Sequence, residues 1–223
     1  MRFQDAARDA RAVTYAAVQA DPLVERAAGL LADASIGQRL LARAAMNGES
    51  ADAAGWRAIF GELFAEDASG PDRERSEAIL DASLAVARRG EELRSQFRGA
   101  IIEALTARLL GRRVVPEVVR RERRILFDGV AAEIHPYDVT VERPVAAEAY
   151  DCKWGARGIG PEVLLQLDAA RSNAAAEGSR LIVALVVFDL RRSCAARMAR
   201  LSLPTGKVGL VTLESLDRLA GVA

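Results

Sequence analysis

Two carboxylates and one ammonium in the second half of the chain have the types and spacing of a metal-dependent hydrolytic site. They are Asp138, Asp151 and Lys153. If residues 138–153 form a hairpin that turns around Pro144 and Val145, Asp138 lies directly opposite Asp151. Residues two apart on a strand share a face, so Lys153 lies beside Asp151. The pattern predicts that all three side chains converge on one patch of a sheet.

These residue types suit the hydrolysis of a phosphate ester. Two carboxylates that face each other across a strand pair repel unless a cation lies between them. Mg²⁺ is such a cation, takes oxygen ligands at about 2.0–2.1 Å, and can be replaced by Mn²⁺. A bound ion of this kind neutralises developing charge and lowers the pKa of water so that it can attack. The alternative is that Asp151 and Lys153 form only an exposed ion pair, which contributes little stability.

The rarity of lysine favours a functional role for Lys153. The chain has 31 basic residues, of which only Lys153 and Lys207 are lysine. A solvated surface charge tolerates arginine equally well, whereas a site that needs a compact ammonium does not.

Glu103 is a third carboxylate that belongs in this hypothesis. It lies in a helix predicted over residues 95–110, whose apolar face is formed by Ile101, Ile102, Leu105 and Leu109. Glu103 is at the edge of that face, so its side chain either points to the metal or is solvated.

Residues 98–188 resemble the PD-(D/E)xK nuclease superfamily, which has the restriction-endonuclease-like fold. The family pattern is a helix with a glutamate, a strand with an aspartate, a strand ending in (D/E)xK, then a helix and a strand. Glu103, Asp138, the segment 151–153, a helix after Pro161 and the apolar run 181–188 occur in that order. The resemblance implies an αβββαβ core, Mg²⁺-dependent phosphodiester hydrolysis and a nucleic acid substrate, DNA rather than RNA. It makes Asp138, Asp151 and Glu103 metal ligands, Lys153 the catalytic lysine, and Gln166 an auxiliary residue.

The surrounding elements divide the chain into an α-helical region, 1–94, and an α/β core, 95–223. Alanine, leucine and arginine at helical spacing predict helices over 3–20, 22–33, 36–47, 51–66 and 71–94. In the core, residues 124–127, 131–134, 139–141, 146–154, 181–188 and 207–212 are predicted strands, and 161–177 and 191–201 are predicted helices. The last strands are expected to add in parallel. The helical region is expected to form a homodimer or to recognise substrate.

Charge and composition exclude several classes of protein. Two cysteines, Cys152 and Cys194, are too few for a disulfide framework or a zinc cluster and favour a cytoplasmic protein. The longest apolar run, 181–188, is too short to span a bilayer. The net charge is zero, but residues 98–124 hold eight arginines against three glutamates. This stretch is either a phosphate-binding stripe or a solvated helix face.

Other residues near the predicted site have weaker patterns. His135 is the only histidine and is either a metal neighbour or structural. The glycines of the loop 155–160 do not match a nucleotide-binding motif, although Arg157 and backbone N–H groups there could meet a phosphate. Trp154 either stacks on a base or is half-buried in a strand. The rival to a nuclease is an inactive nuclease-like core in a helical interaction protein, and the third hypothesis is an α/β regulatory or ligand-binding domain.

Overall fold

The computed structural model describes residues 1–6, 10–66, 69–130, 135–201 and 208–221. The fold is mixed α/β, as predicted, with eight α-helices and a six-stranded sheet within these ranges. The chain separates into two compact units. One unit is formed by Met1–Asp9 together with Thr106–Ala223, and the other by Ala10–Leu105.

The unit of residues 10–105 is helical. Its helices are α1 (Ala10–Gln19), α2 (Pro22–Ala32), α3 (Ile36–Ala45), α4 (Ala53–Ile59), α5 (Gly70–Ala87) and α6 (Glu91–Leu110), of which α6 continues beyond Leu105. Polar side chains accept hydrogen bonds from the first turns of α2, α3, α4 and α5, and these caps are Asp21, Ser35, Asp52 and Ser69. The interior is aliphatic and includes Leu31, Leu41, Leu80 and Ile101. The predicted break at residue 94 is wrong, because α5 ends at Ala87 and α6 begins at Glu91, after Gly90.

The other unit is built on a sheet with strand order β1-β2-β3-β4-β5-β6. The strands are β1 (Arg2–Asp5), β2 (Val119–Leu126), β3 (Tyr137–Val141), β4 (Ala147–Lys153), β5 (Leu181–Val187) and β6 (Gly209–Thr212). Strands β1 to β4 pair antiparallel, whereas β4, β5 and β6 are parallel. Helix α7 (Pro161–Ala176) connects β4 to β5, and α8 (Arg191–Leu201) follows β5. The predicted parallel addition of the last strands is confirmed.

Strand β1 corrects the prediction of a helix over residues 3–20 and of an all-α N-terminal region. Arg2 to Asp5 pair with β2, so that Phe3 lies opposite Ile125, and Phe3 packs against the core of the sheet unit. A strand of four residues is too short to show a clear alternating pattern, and the free edge of β2 supplies the hydrogen bonds that override the helical tendency of its sequence. The helix itself begins at Ala10.

The core of the sheet unit lies between the sheet and the helix α7. Ala147 and Ala149 on β4 and Val183 and Leu185 on β5 are buried together with Leu164 and Leu167 of α7. The small alanines let α7 approach the sheet closely. Cys152 and Cys194 are both buried and are not joined in a disulfide.

Two predicted strands lie wholly or partly outside the described residues. The strand predicted over 131–134 lies outside the described residues, as does the first residue of the strand predicted over 207–212, which the structure begins at Gly209. Within the described parts of the chain, every helix is too short or too polar to cross a lipid bilayer.

Candidate metal centre

The hairpin of β3 and β4 has the register that the sequence predicts. Val139 pairs with Tyr150, Thr140 with Ala149 and Val141 with Glu148. In this register Asp138 stands opposite Asp151, one position beyond the last of these pairs. Asp151 and Lys153 lie at the carboxyl end of β4, where β4 runs parallel to β5. The carboxyl ends of parallel strands are where α/β proteins commonly place ligand sites.

A hydrogen bond fixes the Asp138 carboxylate against β4. Its Oδ2 atom accepts from the backbone N–H of Cys152 at 2.5 Å. Because Cys152 directly follows Asp151, this oxygen lies beside the peptide group that joins the two residues. The Cys152 thiol is buried and donates to the Thr106 hydroxyl at 3.5 Å. A carboxylate that accepts one backbone hydrogen bond keeps lone pairs for a second ligand.

Asp151 and Lys153 form an ion pair between Oδ1 and Nζ. Burial raises the pKa of Asp151, and the opposing effects of Lys153 and His135 leave it above its usual value. Burial alone would lower the pKa of Lys153, but the carboxylates of Asp151 and Asp138 raise it above its usual value. Lys153 is therefore an ammonium at neutral pH, and its charge interacts with both aspartates.

A glycine and a short 3₁₀ helix hold the stem of Lys153. Residues Ala156–Gly158 form the helix, and a Cβ atom at Gly158 would lie 3.1 Å from Lys153 Cδ. Asp189, after β5, accepts a hydrogen bond from the Ala156 N–H at 2.9 Å and fixes this loop. The Trp154 ring packs on Phe188 with a centroid distance of 4.9 Å. The loop that the sequence analysis noted therefore contacts the lysine side chain.

Glu122 is a candidate residue that the sequence analysis missed. On β2, Arg121 pairs with Val139 and Arg123 with Tyr137, so Glu122 stands opposite Asp138. A carboxylate oxygen of Glu122 lies within 4.8 Å of one of Asp138. The Glu122 backbone has φ of 53°, in the left-handed region that residues other than glycine rarely adopt. Its carbonyl accepts from the Ala6 N–H at 3.0 Å, so the continuation of β1 helps to hold this conformation.

The strain at Glu122 is itself a functional signal. Backbone conformations of this kind cluster at binding sites because surrounding contacts maintain them despite a cost of roughly 1–3 kcal/mol. The sequence of β2 gives no indication of this role, since Glu122 has two arginines on each side. Glu122 can be identified as a candidate only from the pairing register of β2 and β3.

Glu103 lies on α6 in the helical unit and is 4% exposed. Its Oε1 atom accepts from the Tyr15 hydroxyl at 2.5 Å and its Oε2 atom accepts from the Gln19 amide at 2.8 Å. The glutamate is thus buried and hydrogen-bonded, rather than solvated. Its role as a metal ligand stays a prediction.

Gln166 supports the chain that leads into β3. On α7, its amide donates to the backbone carbonyl of His135 at 3.0 Å. The His135 side chain is exposed, and its charge lowers the pKa of Asp151 without offsetting the effect of burial. Gln166 therefore acts on the segment before Asp138, through His135.

The carboxylates at this end of the sheet are candidate ligands for a divalent cation, and among them Glu122 and Asp138 have oxygens within 4.8 Å of each other. Asp138, Glu122 and Asp151 offer the hard oxygen ligands that Mg²⁺ and Mn²⁺ prefer. Asp151 Oδ1 is buried and, among the described residues, accepts no hydrogen bond of good geometry although it contacts the Lys153 ammonium. That ammonium supplies a counter-charge to the buried carboxylate oxygen. Candidate ligands are thus present on three neighbouring strands.

Glu148 lies on the other face of β4, as the alternation of the strand predicts. It is 3% exposed and forms ion pairs with Arg113 and Arg143, and the Tyr150 hydroxyl donates to it. Arg113 also donates to the Leu219 carbonyl at 2.8 Å. This cluster ties the C-terminal 3₁₀ helix, Leu213–Ala220, to the sheet and has a structural role.

Comparison with known proteins gives little to add to this geometry. No family model matches the chain, and no curated protein matches it. Among solved structures, the chain is similar to the protein VC1899 from Vibrio cholerae, with a TM-score of 0.48 and 17% sequence identity. The similarity covers 90% of this chain and 55% of that one, so the chain spans about half the length of VC1899.

Proposed function

We propose that the sheet unit is a divalent-metal-dependent nuclease that hydrolyses phosphodiester bonds, in DNA rather than RNA. The observation that carries this proposal is the register of β3 and β4, which sets Asp138 opposite Asp151 with Lys153 on the same strand. Glu122, opposite Asp138 on β2, adds a carboxylate at the same end of the sheet. The order of helix, three strands, helix and strand from α6 to β5 also supports a restriction-endonuclease-like core.

Each residue has a role that follows from its surroundings. A divalent ion held by Asp138 and Asp151, with Glu122 as a further candidate ligand, would supply Lewis-acid chemistry and an activated water. Lys153 is an ammonium at neutral pH, so it donates hydrogen bonds to a phosphoryl oxygen and stabilises the charge that develops there. Asp151 orients Lys153 through their ion pair. Gln166 keeps the segment before Asp138 in place by its bond to His135.

A cleavage panel tests the proposal. The full chain is incubated with linear duplex, supercoiled plasmid, single-stranded DNA, branched DNA or RNA, in Mg²⁺, Mn²⁺ or EDTA. We expect DNA cleavage that requires metal and falls at least about 100-fold in Lys153→Ala, as when a transition-state donor is removed. Arg192→Gln, an exposed position on α8, is the control and should cleave normally.

Two outcomes would contradict the nuclease proposal. Equal activity in the wild-type protein and Lys153→Ala would assign the cleavage to another site or to a contaminant. Absence of cleavage on every substrate would favour the rival hypothesis, an inactive nuclease-like core in an interaction protein.

A further inference from the structure

The loop between β4 and α7, residues 155–160, is held by side chains from the segment that follows β5. Asp189 comes two residues after the end of β5, and its Oδ2 atom accepts from the Ala156 N–H at 2.9 Å. On α8, the Nε–H group of Arg197 donates to the Ile159 carbonyl at 2.9 Å. One backbone N–H and one backbone carbonyl of the loop are therefore fixed from outside the loop.

Both oxygens of the Asp189 carboxylate accept hydrogen bonds from backbone N–H groups. Asp189 is 8% exposed, and its Oδ1 atom accepts from the N–H of its neighbour Leu190 at 2.8 Å. Its backbone carbonyl accepts from the Leu213 N–H at 3.1 Å, so the residue is itself held by the start of the C-terminal 3₁₀ helix. Burial of a carboxylate costs free energy unless hydrogen bonds replace its water. The bonds of Asp189 meet that condition and tie Ala156 to the end of β5.

Between these two anchors the loop lies against the side chain of Lys153. A Cβ atom at Gly158 would lie 3.1 Å from Lys153 Cδ and 3.4 Å from its Cγ, so the backbone at Gly158 borders the aliphatic stem of the lysine. The Gly158 N–H donates to the Gly155 carbonyl at 2.9 Å, and the Ile159 N–H donates to the Ala156 carbonyl at 3.1 Å. Ile159 is fully buried. The turn therefore cannot move away from Lys153 unless these contacts break.

We propose that Asp189 and Arg197 are positioning residues for Lys153 and act through the loop 155–160. The inference rests on the proposed function, in which Lys153 donates to a phosphoryl oxygen. Asp151 pairs with the ammonium of Lys153, whereas the flexible four-carbon stem is confined by the loop. A long side chain loses conformational entropy when it is fixed, so a stem that is confined before substrate binds has less to lose in the transition state. The segment from β5 to α8 thereby contributes to the chemistry on β4.

The mobility of Lys153 can be measured directly because the chain has only one other lysine, Lys207. The full chain with Lys207→Arg, grown on lysine labelled with ¹³C at Cε, gives NMR signals from Lys153 alone. The two Hε protons of an immobilised lysine have separate chemical shifts, which average to one shift in a mobile side chain. We expect separate shifts in this parent protein and merged shifts when Asp189→Ala or Arg197→Gln is added.

Two further variants are matched to these changes. Arg192→Gln is the same substitution at an exposed position on α8 and should leave the Hε shifts separate. Asp189→Asn keeps an amide oxygen that can accept from the Ala156 N–H, so it should preserve more of the separation than Asp189→Ala. Thermal unfolding of each variant confirms that it is folded. In cleavage assays, Asp189→Ala and Arg197→Gln should lower kcat by about 10- to 100-fold with little change in KM or in Mn²⁺ affinity, because Asp138 and Asp151 are intact.

The NMR outcomes separate this inference from the nuclease proposal. Separate Hε shifts that persist in folded Asp189→Ala and Arg197→Gln would overturn the positioning role, even if the wild-type protein cleaves DNA. A single averaged shift in the parent would also overturn it, because Lys153 would then be mobile with both anchors present. Merged shifts in Arg192→Gln would contradict it as well, since any change on α8 would then release the lysine. Merged shifts confined to the two anchor variants support the positioning role even if no substrate is cleaved.

Discussion

At the scale of single residues, the candidate site depends on charges that are placed together at a cost. Burial raises the pKa of Asp151, and Lys153 offsets part of that cost through their ion pair. Asp138 is held by the Cys152 N–H, so its position does not depend on a cation. The site is thus largely preorganised, as electrostatic catalysis requires.

The strained backbone of Glu122 gives a prediction that compares two uncharged amide variants, which differ in how well they tolerate a left-handed backbone. Glu122→Gln and Glu122→Asn both remove the charge, but asparagine tolerates a left-handed φ of 53° better than glutamine does. We expect Glu122→Asn to have the higher free energy of unfolding, by up to about 1 kcal/mol, as measured by urea denaturation. Both variants should bind Mn²⁺ more weakly than the wild-type protein. A glutamine variant as stable as the asparagine variant would contradict the inference of strain.

Gly158 gives a prediction about the position of Lys153. In Gly158→Ala the new methyl group would lie 3.1 Å from Lys153 Cδ and 3.3 Å from its Cβ, so the lysine stem must shift. Because misplacement by about 1 Å costs up to about 100-fold in rate, we expect a reduced kcat with little change in thermal stability. Gly90→Ala is the matched control, since a Cβ atom there has no neighbour within 4 Å. Equal loss of activity in both variants would show that Gly158 does not position Lys153.

At the scale of elements, the sequence predicts the helices and strands that have a clear local pattern. It does not predict features that depend on pairing with a distant strand. The proline-containing turn between β3 and β4 sets a register that can be read from residues 138–153, and the apolar run of β5 is unmistakable. Strand β1 has only four residues and needs the edge of β2. Glu122 becomes a candidate only once β2 is paired with β3. Long-range pairing, rather than propensity, determined both of these features.

The cluster around Glu148 holds the C-terminal 3₁₀ helix to the sheet, and it predicts how the stability of the protein changes with pH. Burial would raise the pKa of Glu148, but hydrogen bonds from Arg113 and Tyr150 lower it below its usual value. A lowered pKa contributes stability above the unfolded value and loses it as pH falls through the folded value. Glu148→Gln should therefore reduce the free energy of unfolding by about 3 kcal/mol at pH 7.

The same comparison in acid provides the check on that prediction. As pH falls from 7 through the lowered pKa of folded Glu148, the wild-type protein should lose its advantage over Glu148→Gln, because Glu148 becomes protonated first in the unfolded and then in the folded state. Urea denaturation at each pH measures the difference. A difference that stays constant over this range would mean that the charge of Glu148 does not stabilise the fold.

At the scale of the whole molecule, the sheet unit combines two distant parts of the chain. Met1–Asp9 and Thr106–Ala223 form one compact unit, and β1 supplies the edge strand beside β2. The candidate residues Glu122, Asp138, Asp151, Lys153 and Gln166 belong to this unit, whereas Glu103 belongs to the unit of residues 10–105. Residues 10–105 form a separate helical unit with its own aliphatic core, for which we predict dimerisation or substrate recognition.

The central claim is that the carboxylates of β3 and β4 hold a divalent cation, and Mn²⁺ binding measured by calorimetry at neutral pH tests it most directly. We predict that the wild-type protein binds Mn²⁺ and that Asp138→Asn and Asp151→Asn each weaken binding at least about tenfold, because each removes a charged ligand. The control is Asp168→Asn, which changes an acid on α7 that pairs with Arg171 and should leave the Mn²⁺ affinity unchanged. Equal Mn²⁺ affinity in the wild-type protein and in the double variant of Asp138 and Asp151 would contradict the account.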